Sequence, residues 1–340
     1  MLCESADKHK YNAAKARKDT REIVKGMGYN DIVLFYNNHP KPLISLEIII
    51  NSIRALMYAK KGDNIFFQYP YYPAFVNRTI FSILRFGKKL KHYRVTMLIH
   101  DVIALRSRLG DSDGGQRALH SEVSAWKWID NVICHTENMK AALEKAEANV
   151  HYSVLGPFYF LYNGEVCKRT YSNFPVVMVA GNLSKEKCKY VYELSNVKNV
   201  RFDLFGTNYT GLKNEYIRYR GKYEPVELIS HLDGQFGLVW DGDGVDTCSG
   251  DYGNYLKYNS PHKFSLYLAA GVPVIVWQES ALASYVQEAG IGICICSLME
   301  LPTYLSNMQE EAYDRMVANV MQARKNILSG NRLREILTNR

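Results

Sequence analysis

The chain has 340 residues, 47% of them apolar and 22% charged, proportions that fit a globular protein and exclude a disordered or low-complexity one. That length predicts two domains rather than one core. The net charge of +8, from 42 basic and 34 acidic residues, suits an anionic small substrate or an anionic membrane surface and is too modest to indicate nucleic acid.

Seven cysteines, an odd number, include no CxxC pair, so zinc and thioredoxin-like readings find no support. Cys134, Cys294 and Cys296 lie in strand-like runs and are expected to be buried free thiols, which fits a reducing, cytoplasmic setting. The charged opening stretch MLCESADKHK predicts no secretory signal. No apolar run reaches the roughly 18 residues that span a bilayer, so any membrane contact is expected to be peripheral, at the inner face of the plasma membrane.

In chain order, strand and helix patterns alternate, which predicts parallel sheets flanked by helices. Strands are expected at residues 32–36, 64–69, 94–100, 131–135 and 151–155, and helices at 12–27, 44–59, 73–86, 116–128 and 137–146. Periodicity then fails over residues 156–171, which read as an interdomain connection. A second series follows, with strands at 176–180, 201–205, 236–240, 274–277 and 291–296 and helices at 185–194, 225–231, 261–270 and 281–289. An amphipathic helix over 309–327 closes the pattern. The domains expected are 1–158, 172–308, and C-terminal helices over 309–340 packing across domains.

In the second series the stretch from Phe236 to Trp277 is the most telling. An apolar strand ends in the acidic loop Asp241, Asp243, Asp246, and Asn259-Ser260-Pro261-His262-Lys263 opens the next helix. Pro261 suits the first helical position, and Asn259 or Ser260 the cap. Lys263 would stand in the first turn, where the helix dipole disfavours a cation, so the pattern asks for an anion. Gly181, Asn182 and Lys185 repeat this arrangement after an earlier strand, and two lysines so placed make a diphosphate the expected anion. Gly206 and Tyr223 end other elements, with Tyr223 either a nucleoside neighbour or a packed aromatic. Glu279 and Ser280 would meet ribose or sugar hydroxyls, or cap a helix. The acidic loop lacks the EF-hand pattern; Asp241 is read as a sugar contact and no metal site is expected.

In the first series, Leu98-Ile99-His100-Asp101 ends a strand, which makes Asp101 the candidate general base and His100 the runner-up. His135 and Glu137 rank behind them. Tyr69, Tyr71 and Tyr72 form a candidate acceptor platform, since aromatic faces stack on sugars. Residues 75–86 are apolar and precede Lys88, Lys89, Lys91, His92 and Arg94, a pattern that fits either anionic lipid head groups or a core helix with a solvated basic end.

The motifs AGNLSK, FGTNY, FGLVWDGD, DTCSG, YLKYNSPHK and SLYLAAGVPVIVW, with NAAKARKD at 12–19 and LIHD at 98–101, together resemble bacterial β-1,6-galactofuranosyltransferases, which are related to Gtf3-type glucosyltransferases. The resemblance implies an α/β GT-B architecture, two Rossmann-like domains facing a cleft with a long C-terminal helix. It also implies a metal-independent, homo-oligomeric enzyme without a cofactor. Such an enzyme would move a sugar from a UDP-sugar, by resemblance UDP-galactofuranose, to a saccharide acceptor carried on a lipid, with inversion. The acceptor would belong to a surface polysaccharide or O-antigen. Asn182, Lys185, Tyr223, Asn259 and Lys263 fall on the donor-side motifs. Relatives begin with a short strand, for which only MLCESAD is present here. The alternatives are a UDP-glucose-dependent enzyme of protein glycosylation, a sugar-nucleotide epimerase, and a non-catalytic UDP-binding partner of a glycosyltransferase.

Overall fold

The structure, a computed structural model, describes residues 1–6, 15–36, 39–107, 113–147, 149–211 and 214–339. The first three residues of the NAAKARKD motif and of the helix expected over 12–27 lie outside them. The chain divides into two compact units, Met1–Leu155 with Arg332–Arg340, and Gly156–Asn331.

The first unit contains a parallel sheet of β1 (Leu2–Ala6), β2 (Asp31–Tyr36), β3 (Asn64–Tyr69), β4 (Arg94–Ile99), β5 (Asn131–Cys134) and β6 (Tyr152–Val154). Its spatial order is β2-β1-β3-β4-β5-β6. The reversal of direction between β1 and β3 makes their carboxyl ends the crevice where such sheets bind ligands. The short opening strand is not marginal, because β1 pairs with both β2 and β3. Around the sheet lie α1 (Lys15–Gly26), α2 (Lys41–Tyr58), α3 (Val76–Lys91), α4 (Ile103–Arg106), α5 (Asp113–Ser124) and α6 (Glu137–Ala146).

The second unit's sheet comprises β7 (Val176–Asn182), β8 (Arg201–Thr207), β9 (Ile217–Gly221), β10 (Phe236–Val239), β11 (Val274–Trp277) and β12 (Gly292–Ile295). The order β12-β11-β10-β7-β8-β9 is the doubly wound one, with its switch between β7 and β10. Side chains alternate across a strand, and both faces here are covered. Val177 and Val179 of β7 therefore enter one core with Trp240 and Ile275. Met178 and Ala180 enter the other, with Val239, Val274 and Phe264. The flanking helices are α7 (Pro225–His231), α8 (Gly250–Tyr255), α9 (His262–Ala269), α10 (Ala283–Ala289), α11 (Leu301–Ser306) and α12 (Glu310–Ser329). A last helix, α13 (Asn331–Thr338), belongs almost wholly to the first unit, so the stretch 309–340 is shared between the two.

Three local expectations are corrected. Strand β9 was not legible, because IRYRG presents arginines: Arg218 and Arg220 both bind the buried Asp203 carboxylate of β8, at 2.7–2.8 Å. No α-helix opens at Lys185. Instead Ser184 O accepts from the N–H groups of Lys187 and Cys188, and short 3₁₀ turns follow at Lys189–Tyr192 and Leu194–Asn196. Of the cysteines expected to be buried, Cys134 is, Cys294 is half-buried and Cys296, beyond the end of β12, is exposed. The connection expected over 156–171 lies within the second unit, where Phe160 is buried and Arg169 donates to the carbonyls of Gly234 and Ala270.

Candidate active site

At the carboxyl ends of β7 and β10 the second unit joins its two lysine motifs through one buried carboxylate. Lys263, in the first turn of α9, donates to Trp240 O at 2.6 Å and to Asp241 Oδ1 at 2.9 Å. The anion that its position demands is thus in part supplied by the chain, and Asp241 is an ion-pair partner rather than an exposed sugar contact. Burial works against the ammonium, but Asp241 outweighs it and holds the Lys263 pKa above its ordinary value. An ammonium has three donors and these bonds take two, which leaves one N–H for an outside anion. The same Oδ1 accepts from Cys188 Sγ at 3.5 Å, and that thiol also meets Asn182 O at 3.2 Å. Burial and the Asp241 charge push the Cys188 thiol up to about 12, so it stays a protonated bridge between the ends of β7 and β10.

Asn182 Oδ1 accepts from Ser184 N at 3.1 Å and from Asn208 Nδ2 at 3.0 Å, which fixes the turn after β7. Gly181 pairs with Gly206 of β8, and a Cβ on Gly206 would fall 1.7 Å from Gly181 O at φ +155°. Only glycine lets these two strand ends approach so closely. Lys185 is exposed on the following turn. Around β11, Ala281 N donates to Leu256 O and Glu279 pairs with Lys257 at 3.0 Å, so the loop before α9 and the loop after β11 run side by side. In those loops, Asn259 Oδ1 and Ser280 Oγ are buried acceptors with no hydrogen-bond partner. Buried polar atoms are almost always satisfied, so these two oxygens call for a donor from water or from a ligand.

Tyr223 proves to be a packed aromatic. Its ring stacks on His231 with centroids 3.8 Å apart, and its hydroxyl donates to Arg220 O. Asp243 and Asp246 are exposed and Asp241 is buried, so the acidic loop does not converge. Among the described residues no three His, Cys, Asp or Glu side chains group as metal ligands.

In the first unit, β4 delivers His100 and Asp101 to its carboxyl end. Asp101 pairs with Arg106 at 3.3 Å, and its charge helps to raise the nearby Tyr72 pKa, second to burial. Gln68 Nε2 donates to Arg17 O, so Gln68 Oε1 is the acceptor for His100 Nε2 at 2.6 Å. Sequence reading missed the group behind this chain: Glu4 of β1 accepts from Gln68 N at 2.9 Å, with Arg17 at 3.7 Å. Burial raises the Glu4 carboxyl to about 7, against the opposing pull of Arg17. A lone Glu in a short opening strand carried no signal of this.

The three tyrosines separate. Tyr71 is fully buried, donates to Cys3 O at 2.7 Å and stacks on Phe67, so it is a core residue and not an acceptor platform. Tyr69 is buried and donates to Glu122 Oε1 at 2.8 Å, at the edge of a groove of about 380 Å³ lined also by Phe81, Trp126 and Trp128. Glu122, likewise unforeseen, is raised by burial against three hydrogen bonds that oppose the shift. Tyr72 alone is exposed. His135 is buried, bonded to Ile99 O and lowered by burial to about 4, so it is a neutral structural histidine. Glu137 lies in the first turn of α6 behind its Thr136 cap.

Two doubly wound parallel sheets in sequence, the second with an anion-seeking lysine at its switch point, define the GT-B class of glycosyltransferases. A glycosyltransferase from Rickettsia africae ESF-5 shares the fold with a TM-score of 0.62 at 12% identity, over 99% of this chain and 96% of that one. The chain matches the glucosyltransferase 3-like N-terminal domain over residues 3–156 and the C-terminal domain over 177–340. It is 32% identical over 329 residues to the β-1,6-galactofuranosyltransferase WbbI of Escherichia coli (strain K12), covering 95% of this chain and 92% of that protein. Glucosyltransferase 3 of Streptococcus gordonii is 25% identical over 309 residues, 90% and 86% of the two chains. The chain therefore belongs to the glucosyltransferase 3-like family and is a glycosyltransferase.

Proposed function

We propose that the enzyme transfers galactofuranose from UDP-galactofuranose to a saccharide of a lipid-carried surface polysaccharide or O-antigen unit, with inversion and without a metal. The observation that carries the donor half is Lys263, held charged by Asp241 with one N–H left over, beside the unpartnered oxygens of Asn259 and Ser280. The ammonium would bind the diphosphate and stabilise charge as UDP departs, the usual electrostatic contribution to such a step. Lys185 would add a second, solvent-side charge. Asn259 Oδ1 and Ser280 Oγ would accept from ribose or sugar hydroxyls. The acceptor hydroxyl oxygen attacks the anomeric carbon as its bond to the β-phosphate oxygen breaks, and Asp101 takes the hydroxyl proton. His100, oriented through Gln68, is the competing base.

The sugar identity leans on the galactofuranosyltransferase relative, and the glucosyltransferase relative supplies the competing donor. UDP release is measured with UDP-galactofuranose, UDP-galactose and UDP-glucose, with and without a glycoside acceptor. Acceptor-dependent release fastest from UDP-galactofuranose is expected. Faster release from UDP-glucose overturns the sugar, and conversion of the UDP-sugar without acceptor overturns transfer in favour of epimerisation. Asp101→Asn should abolish transfer while UDP still binds; full activity removes Asp101 as the base.

A further inference from the structure

Helix α2, KPLISLEIIINSIRALMY, is apolar on both sides. Ile44, Ile48, Ser52 and Ala55 face inward and are buried. On the opposite side Leu43, Leu46, Ile49, Ile50, Ile53 and Met57 are between 40% and 75% exposed. A helix hydrophobic all round normally lies inside a core or a membrane. Helix α3 extends the surface: Leu56 of α2 packs over Gly87 of α3, where a Cβ would fall 2.1 Å from Leu56 Cδ2, and beyond that contact Phe86 and Leu90 are each 61% exposed. Eight half-exposed side chains amount to roughly 700 Å², above the ~300–600 Å² of the largest patch on a typical monomer.

The charge around this patch is predominantly basic. The turns after α2 and α3 are joined by bonds from Gly62 N to His92 O and from Arg94 N to Asp63 O. They bring Lys60, Lys61, Lys89, Lys91, His92 and Arg94 to one end of the patch, all exposed. The nearby acids are already engaged: Glu47 binds His39 and Tyr36 N, Asp63 binds Lys60 N, and Asp130 binds Lys88. No helix among the described residues is long and apolar enough to cross a membrane. An apolar helix face with a basic border is the pattern of a helix lying in the bilayer interface.

We propose that the outer face of α2, with the adjoining edge of α3, seats the first unit on an anionic lipid surface, its apolar side chains entering the head-group boundary and its basic end meeting lipid phosphates. A second copy is the poorer occupant, because the one acid that α2 and α3 carry, Glu47, is already bonded to His39 and Tyr36 N and offers the basic end no opposite charge. A bilayer rich in anionic head groups supplies the missing sign. The inference is independent of the donor sugar and is tested without one.

The full-length protein is sedimented with vesicles of phosphatidylcholine alone and of phosphatidylcholine with one-third phosphatidylglycerol. Binding to the anionic vesicles that weakens with salt is expected. Ile50→Glu/Ile53→Glu, at exposed positions, should lower the partition coefficient at least tenfold, and the milder Leu46→Ser/Met57→Ser several-fold, each with an unchanged far-ultraviolet circular dichroism spectrum. Lys89→Glu/Lys91→Glu should remove the preference for anionic vesicles. Absence of wild-type binding, or equal binding by a folded apolar-face variant, overturns the proposal. So does light scattering that shows a dimer broken by Ile50→Glu/Ile53→Glu in a protein that ignores vesicles.

Discussion

Each unit buries a carboxylate near the carboxyl ends of its central strands, and the two are treated in opposite ways. Asp241 receives an ammonium at 2.9 Å and a thiol, so its burial is offset by a full opposite charge. Glu4 has the backbone and side chain of Gln68 and a guanidinium at 3.7 Å, and burial wins, lifting it to about 7. Burial alone therefore does not decide the state of a carboxylate: a full opposite charge at hydrogen-bond distance offsets it, and a more distant one does not.

The harshest way to break this comparison is to remove the cation. Lys263→Ala leaves Asp241 buried and unpaired, a change that costs about 3–5 kcal/mol, read as a fall in the denaturant midpoint. Lys263→Met combined with Asp241→Leu should recover most of that loss while transfer stays absent, because stability needs only a matched pair and the diphosphate needs the charge. A single variant as stable as wild type would show that Asp241 does not depend on Lys263.

Glu4 sharpens the other side. Below the ordinary carboxyl pKa of 4.5 both folded and unfolded states hold the proton and Glu4 has no effect. Between 4.5 and about 7 the folded state keeps a proton that the unfolded state has lost, so this group makes stability fall as pH rises, and above about 7 the penalty is constant. At about 1.4 kcal/mol per pKa unit the ceiling is about 3 kcal/mol. Glu4→Gln, measured by chemical denaturation, should match wild type near pH 4.5 and exceed it by up to that amount at pH 8. A variant less stable than wild type at pH 8 would mean that Glu4 is held as a carboxylate, like Asp241.

The fold was legible where both faces of a strand are buried, because short β-branched apolar runs bounded by Gly and Pro, such as VIVW in β11, favour a buried strand over a helix. It was illegible where a strand carries its own polar clamp. LCESA buries Glu4, and IRYRG uses two arginines to hold Asp203, so neither shows an apolar pattern. Lys263 was legible as a charge set against a helix dipole, but its partner was not, since only the placement of β10 beside α9 brings Asp241 to it. Lys185 was misassigned to a helix because Gly-Asn-Leu-Ser reads as a capped start. The Asn182 side chain instead closes a tight turn onto Ser184 N.

The mildest test concerns the tyrosines, where one motif holds a core residue and a surface residue side by side. Tyr71→Phe removes the buried hydrogen bond to Cys3 O and leaves the ring stacked on Phe67, which predicts a loss of about 1 kcal/mol. Its acceptor KM should not move. Tyr72→Ala, at an exposed ring, should change stability by less than about 0.5 kcal/mol yet raise the acceptor KM if the ring beside Asp101 meets the sugar. The informative quantity is the crossing of the two effects. Were Tyr71→Phe to weaken acceptor binding, the hydroxyl of a fully buried residue would have to act through β1 and β3. An unmoved KM in Tyr72→Ala would shift the acceptor's aromatic contact to the groove of Phe81, Trp126 and Trp128.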